Sequence, residues 1–77
     1  MLTLNEFVEK FAEEFDETPQ EQFSKDTAYK SLEEWGSLTA LSIISMIDEE
    51  FDMMLTGADL RSVNTIEELY NLIISKQ

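Results

Sequence analysis

The 77-residue chain contains no cysteine and no histidine. Without cysteine it can form neither disulfides nor thiolate metal sites, and without histidine it lacks the most common metal ligand and general base. Its serines therefore have no imidazole or thiolate with which to form a catalytic pair. We expect the chain not to be an enzyme and to hold no dedicated metal ion.

Basic residues are also scarce, because 5 Lys and Arg stand against 17 Asp and Glu, for a formal net charge of -12. An electrostatic field of this sign repels nucleic acid and anionic membranes and attracts basic patches on other proteins. We therefore expect protein partners with basic docking surfaces. Association with them should slow as salt screens the field.

Long apolar runs are missing as well. No stretch approaches the ~18 apolar residues of a membrane-spanning helix, and the first residues show neither the basic nor the apolar region of a secretory signal. The default expectation is a cytoplasmic protein. The apolar content of 43%, with five Phe, one Trp and two Tyr, still allows a folded core.

Only one proline and two glycines interrupt the chain, and apolar residues recur at helical spacing in its first segment. A first helix is predicted to follow Thr3, which forms a capping box with Glu6, and Pro19 prevents any continuation. Its apolar positions are Leu4, Phe7, Val8, Phe11 and Phe15. Residues 16–36 lack such a period, which predicts a long loop. The side chains expected to pin this loop are Phe23, Tyr29, Leu32 and Trp35.

A second helix is predicted from Ser37 or Leu38 to Phe51, with Ser37 as its N-cap residue. The positions expected to face helix 1 are Leu38, Leu41, Ile44, Ile47 and Phe51. Gly57 limits Ala58–Ser62 to a short helical turn, and a last helix should begin at Thr65 with Glu68 as its capping-box partner. Its buried positions are predicted to be Ile66, Leu69, Tyr70, Leu72 and Ile73.

No strand pattern competes with these helices, so the predicted fold class is all-α. We expect a four-helix bundle with a short third helix and a long loop between helices 1 and 2, forming a single domain over residues 1–77. The acidic segment from Asp48 to Asp59 does not fit a calcium loop, because Met53 takes the place of the sixth-position glycine and Asp59 that of the final glutamate. Three adjacent carboxylate pairs are interpreted as solvated surface: Glu13 with Glu14, Glu33 with Glu34, and Glu67 with Glu68.

The segment around Ser37 carries the most informative motif. Residues 32–38 are Leu-Glu-Glu-Trp-Gly-Ser-Leu, and residues 48–51, at the end of helix 2, are Asp-Glu-Glu-Phe. With the Phe-rich first helix, the long loop, the short third helix and the Thr-Ile-Glu-Glu-Leu start of the last helix, the chain resembles the acyl carrier protein family over nearly its full length. In that family a serine within an Asp-Ser-Leu motif opens the second helix. Gly36 stands here where that Asp is usual.

The resemblance implies that Ser37 carries 4'-phosphopantetheine, whose thiol would hold acyl or aminoacyl groups as thioesters for fatty acid, polyketide or related biosynthesis. A phosphopantetheinyl transferase would attach this arm, and loading and processing enzymes would then dock on helix 2. The protein would act as a monomer. On the partner-binding face the resemblance places Leu38, Ser42, Ser45, Asp48 and Glu49, of which Ser42 and Ser45 stand where many fatty acid carriers have Glu and Met.

Two other hypotheses stay open. The chain could be an unmodified, carrier-like binding or regulatory module that acts through its acidic surface, and Gly36 is the best support for this. In that case Ser37→Ala would leave function intact. An acidic mimic of nucleic acid fits the net charge but leaves the serine motif unexplained.

Overall fold

The computed structural model describes residues 2–77, and α-helices provide most of its regular structure. In chain order the α-helices are α1 (Leu4–Glu13), α2 (Ser37–Phe51), α3 (Gly57–Ser62) and α4 (Ile66–Lys76). Within residues 2–77 the only β-type pairing is one isolated antiparallel bridge between Ala28 and Thr65. The predicted all-α class is therefore confirmed. The predicted domain also includes Met1, which lies outside the described residues.

Three of the four helices begin at a capping box. In each box a threonine hydroxyl accepts a hydrogen bond from the amide three residues later, and the acidic side chain at that later position accepts one from the threonine amide. The boxes of α1 and α4 confirm the predictions, whereas the box of α3 was not predicted. The three pairs are Thr3 with Glu6, Thr56 with Asp59, and Thr65 with Glu68.

Aromatic rings of α1 join the other elements into one core. The Phe7 ring lies 5.8 Å from the ring of Phe51 in α2 and 5.6 Å from the ring of Tyr70 in α4. The Phe11 ring lies 5.4 Å from the ring of Tyr29 in the loop. Burying each such ring stabilises the fold by about 1.5–3 kcal/mol, so α1 is the central packing element.

The segment between α1 and α2 is pinned by its apolar side chains, as predicted. Phe23 and Tyr29 are buried, and Leu32 and Trp35 are partly buried against the core. The segment is not wholly irregular, because two short 3-10 turns lie within it, at Gln20–Gln22 and Tyr29–Ser31.

The predicted core face of α2 is partly wrong. Leu38 and Leu41 are 82% and 61% exposed, and Ile44 is only partly buried. Apolar residues occur on several sides of this helix, so a spacing of three and four fits more than one face. The side that packs against the core consists of Ile43, Met46, Ile47 and Phe51. In α4, Tyr70 and Leu72 are likewise only partly buried.

Candidate functional site

Ser37 is the first residue of α2, and its side chain is exposed. The predicted N-cap role of Ser37 is wrong, because the N-cap position belongs to Gly36 and no side chain caps this end of the helix. The amides of the first helical turn therefore have no side-chain acceptor. Such amides and the positive end of the helix dipole favour an anionic group beside Ser37.

The space around Gly36 is open. Its backbone is extended, with φ and ψ both at -173°, a conformation open to any residue. A Cβ built at this position would meet no atom within 4 Å. A side chain could therefore begin at this position without a clash at its Cβ, and Gly36 itself places no side chain beside the exposed Ser37.

Trp35 anchors the chain two residues before Ser37. Its ring lies 5.0 Å from the ring of Tyr29 and 6.5 Å from the ring of Phe15. The hydroxyl of Thr39, in the first turn of α2, donates a 2.9 Å hydrogen bond to the Glu34 carbonyl. These contacts fix the path by which the loop enters α2, so Ser37 is exposed on a well-held backbone.

Glu34 holds the two ends of the loop together, and the interpretation of this carboxylate as solvated surface is wrong. Its side chain accepts hydrogen bonds from the backbone amides of Asp16, Glu17 and Thr18 at 2.8, 3.0 and 2.9 Å. The Thr18 hydroxyl donates a fourth, at 2.8 Å. Burial alone would raise the pKa of Glu34, but these hydrogen bonds outweigh it and lower the pKa below its ordinary value.

The five residues predicted to meet partners share one side of α2. At about 100° per residue they fall within about 120° of one another around the helix axis. Ser42 is partly buried, and the other four, Leu38, Ser45, Asp48 and Glu49, are exposed.

Two further exposed apolar side chains were not predicted as partner residues. Leu41 projects from the same side of α2, and Met54, which follows the helix, is 74% exposed. The available sequence signal was that α2 has more apolar residues than one buried face requires. This side of α2 is therefore both apolar and acidic.

The acidic residues at the C-terminal end of α2 are only partly available to a partner, because one of them is already paired within the protein. Glu50 forms an ion pair with Lys10 of α1 at 3.7 Å. Burial, followed by the charge of Glu49, raises the pKa of Glu14. Asp48 and Glu49 are exposed, so these two remain available for a basic partner.

A groove of about 290 Å³ lies on the other side of Ser37, towards α3. The Tyr29 hydroxyl donates a 2.6 Å hydrogen bond to the Leu60 carbonyl and so ties the loop to α3 at this groove. Burial, with a smaller contribution from the charge of Glu68, raises the pKa of Tyr29 to about 12, which keeps the hydroxyl protonated as a donor. The groove is lined by Lys30, Trp35, Gly36, Ser37, Ala40, Gly57, Leu60 and Arg61.

No group of three or more Asp, Glu, His or Cys side chains within residues 2–77 is placed to hold a metal ion. Over the same residues, no helix combines the length and apolar character needed to cross a membrane.

The chain matches no protein-family model, no curated protein and no solved structure.

Proposed function

We propose that this chain is a non-catalytic carrier protein that bears 4'-phosphopantetheine on Ser37. Acyl or aminoacyl groups would be held on this arm as thioesters during fatty acid, polyketide or related biosynthesis. One observation carries the proposal: an exposed serine occupies the first residue of a 15-residue helix whose N-terminus no side chain caps. The four-helix bundle arrangement, the monomeric state and the cytoplasmic location belong to the same proposal.

The attachment chemistry requires little from the chain itself. The Ser37 hydroxyl attacks the pantetheine-bearing phosphorus of coenzyme A, a new O–P bond forms, and the P–O–P bridge breaks. Adenosine 3',5'-bisphosphate leaves with the bridging oxygen, and the hydroxyl proton passes to a base of the phosphopantetheinyl transferase. The absence of histidine from this chain is compatible with that division of labour.

The residues around Ser37 fit a phosphodiester. The uncapped amides of the first turn offer donors to its oxygens, and Gly36 adds no side chain beside the serine. The arm adds a negative charge to a very acidic protein, and the helix N-terminus is the part of α2 where the dipole favours that charge.

Partner enzymes would dock on the exposed side of α2. Leu38 and Leu41 provide apolar contact area, and Asp48 and Glu49 provide charge for a basic rim on the partner. Ser42 and Ser45 are the small polar residues between them. A transferase and the loading and processing enzymes would use this same surface in turn.

The intact mass of the protein after incubation with a phosphopantetheinyl transferase and coenzyme A tests the proposal. The wild type should gain one phosphopantetheinyl group and Ser37→Ala should gain none. Ser75→Ala removes an exposed serine of α4 and is the matched control, which should be modified like the wild type. An unmodified wild type with several transferases would overturn the carrier function.

A second candidate function is an unmodified module that binds a basic partner. The exposed Leu38 and Leu41, which neighbour each other on the acidic side of α2, favour it, because adjoining exposed apolar side chains indicate an interaction site. It predicts that Ser37→Ala complements a deletion strain fully. The carrier proposal predicts that the same variant fails.

A further inference from the structure

The groove beside Ser37 differs in the charge of its lining from two other grooves of the protein. One of these, about 720 Å³, is lined partly by Glu17, Glu33 and Glu34. The other, about 360 Å³, is lined partly by Glu13, Glu14, Glu49 and Glu50. The groove beside Ser37 has no acidic residue in its lining and contains the cationic side chains of Lys30 and Arg61.

These two cations are also the basic residues that form no salt bridge within the described part of the chain. Hydrogen bonds from the amides of Asn64 and Thr65 lower the pKa of Glu68, and the charge of Lys30 adds the smallest contribution to this shift. Lys10, Lys25 and Lys76 each form a salt bridge at 3.2–3.8 Å. Within residues 2–77, Lys30 and Arg61 form none. With 17 acidic residues in the chain, a basic side chain has many carboxylates to pair with. That both of these cations line the groove next to Ser37 indicates a site for an anion.

A backbone carbonyl holds the Lys30 ammonium at the groove, and the Arg61 guanidinium lies beside it in the lining. The Lys30 ammonium donates a 2.9 Å hydrogen bond to the Arg61 carbonyl, which joins the loop to α3. The Arg61 guanidinium lies back along α3 beside Gly57, where its Nη1 would be 3.3 Å from an added Cβ. Lys30 retains two further ammonium protons for a ligand, and the guanidinium retains its fork of donors.

We propose that Lys30 and Arg61 form a phosphate-binding site that holds the phosphodiester attached to Ser37. This deepens the proposed function and rests on it, because the arm would bring the phosphate to the groove. A guanidinium matches two oxygens of a phosphate group, and an ammonium adds a point charge. Elsewhere on a protein of net charge -12, an added phosphate would meet repulsion.

Two double variants of equal net charge test the site. Lys30→Gln with Arg61→Gln removes the proposed cations, and Lys10→Gln with Lys25→Gln removes two salt-bridged cations elsewhere. The first readout is the change in melting temperature when the arm is attached, with intact mass confirming attachment. We expect attachment of the arm to change the melting temperature of the wild type and of the Lys10/Lys25 variant by the same amount. In the Lys30/Arg61 variant, the modified protein should melt several degrees lower than the unmodified one.

The second readout does not depend on the arm. Inorganic pyrophosphate is titrated into the unmodified protein at low salt, and the backbone amide resonances of residues 30, 37 and 61 are followed. The wild type and the Lys10/Lys25 variant should show saturable shifts, and the Lys30/Arg61 variant should show at least a fivefold weaker response.

The outcomes separate this site from the carrier function. Pyrophosphate shifts without any mass gain support an anion site at Lys30 and Arg61, but overturn the carrier function and with it the role of this site in holding the arm. A melting effect specific to the Lys30/Arg61 variant without pyrophosphate binding supports a site that holds only the attached phosphodiester. Equal melting changes in both double variants together with no pyrophosphate response overturn the site. No mass gain and no pyrophosphate response overturn both proposals.

Discussion

The N-terminus of α4 has Thr65 as its N-cap, where a hydroxyl and a carboxylate satisfy three backbone amides, whereas the N-terminus of α2 has Gly36, where no side chain satisfies any. At α4, the Thr65 hydroxyl accepts from the Glu68 amide at 3.1 Å. The Glu68 carboxylate accepts from the amides of Asn64 and Thr65 at 2.7 and 3.0 Å. One end is completed by the chain's own side chains, and the other is left open beside an exposed serine. Departures from local stability rules of this kind are expected at functional sites.

The largest loss of stability is expected at the capped N-terminus of α4. Thr65→Ala removes the acceptor for the Glu68 amide and should lower the free energy of unfolding by about 1–2 kcal/mol. Thr65→Ser keeps the acceptor and is the matched control, with a loss of only a few tenths of a kcal/mol. Urea denaturation measures both. Equal stability of Thr65→Ala and the wild type would mean that the capping box does not stabilise α4.

A smaller loss of stability is expected for Glu34, whose hydrogen bonds hold the loop that leads into the uncapped N-terminus of α2. Glu34→Gln keeps one acceptor oxygen but loses the charge, and should lower the melting temperature by ~3 °C at pH 7. The folded-state pKa of Glu34 lies below the ordinary value of 4.5. The ionised carboxylate therefore stabilises the fold above that value, and the contribution is lost as pH falls through the folded-state pKa.

The pH dependence of that difference provides the check. The melting curves of Glu34→Gln and the wild type should converge as pH falls well below 4.5, because Glu34 is then protonated in both the folded and unfolded wild type. A gap that is the same at pH 7 and at acid pH would show that the charge of Glu34 contributes nothing.

Adding a capping side chain at the N-terminus of α2 should raise the stability of the fold slightly. Gly36→Asp places a capping carboxylate where the structure has room for it, and should raise the free energy of unfolding by a few tenths of a kcal/mol. Gly36→Asn provides a similar cap without the charge and separates the two effects. Thermal melts of the three proteins make the comparison. A loss of stability in both variants would show that the extended backbone at residue 36 does not accept a side chain.

The smallest effect on stability is expected at Ser37 itself. The sequence pattern predicts Ser37 as the N-cap, and Ser37→Ala would then lower the free energy of unfolding by about 1 kcal/mol. The structure assigns the N-cap to Gly36, so the expected change is within about 0.5 kcal/mol, although modification should be abolished. A loss as large as that of Thr65→Ala, measured in the same urea titration, would show that the Ser37 hydroxyl does hold the helix end.

The sequence predicts best what depends on close neighbours. The capping boxes of α1 and α4 each join residues three apart, so their hydroxyl and carboxylate are visible as a local pattern. The partners of Glu34 lie 16 to 18 residues away, and no local pattern reveals them. Lys30 and Arg61 are 31 residues apart and come together only because the loop packs on α3.

The core face of α2 was the other feature that the spacing of residues did not predict. Leu38 and Leu41 have a spacing that fits a core face, and only the packing of α1 against Phe51 and its neighbours selects the opposite side. Tertiary contacts therefore decide which apolar residues of α2 remain available to partners.

Amide hydrogen exchange of the protein before and after treatment with a transferase and coenzyme A compares the two helix ends most directly. If the open end of α2 is the binding site of a phosphodiester on Ser37, exchange at residues 37–40 should slow severalfold on modification. Exchange at residues 66–69, whose helix end is already capped, should not change. Unchanged exchange at both ends, or a protein that takes up no arm, would contradict a carrier function for Ser37.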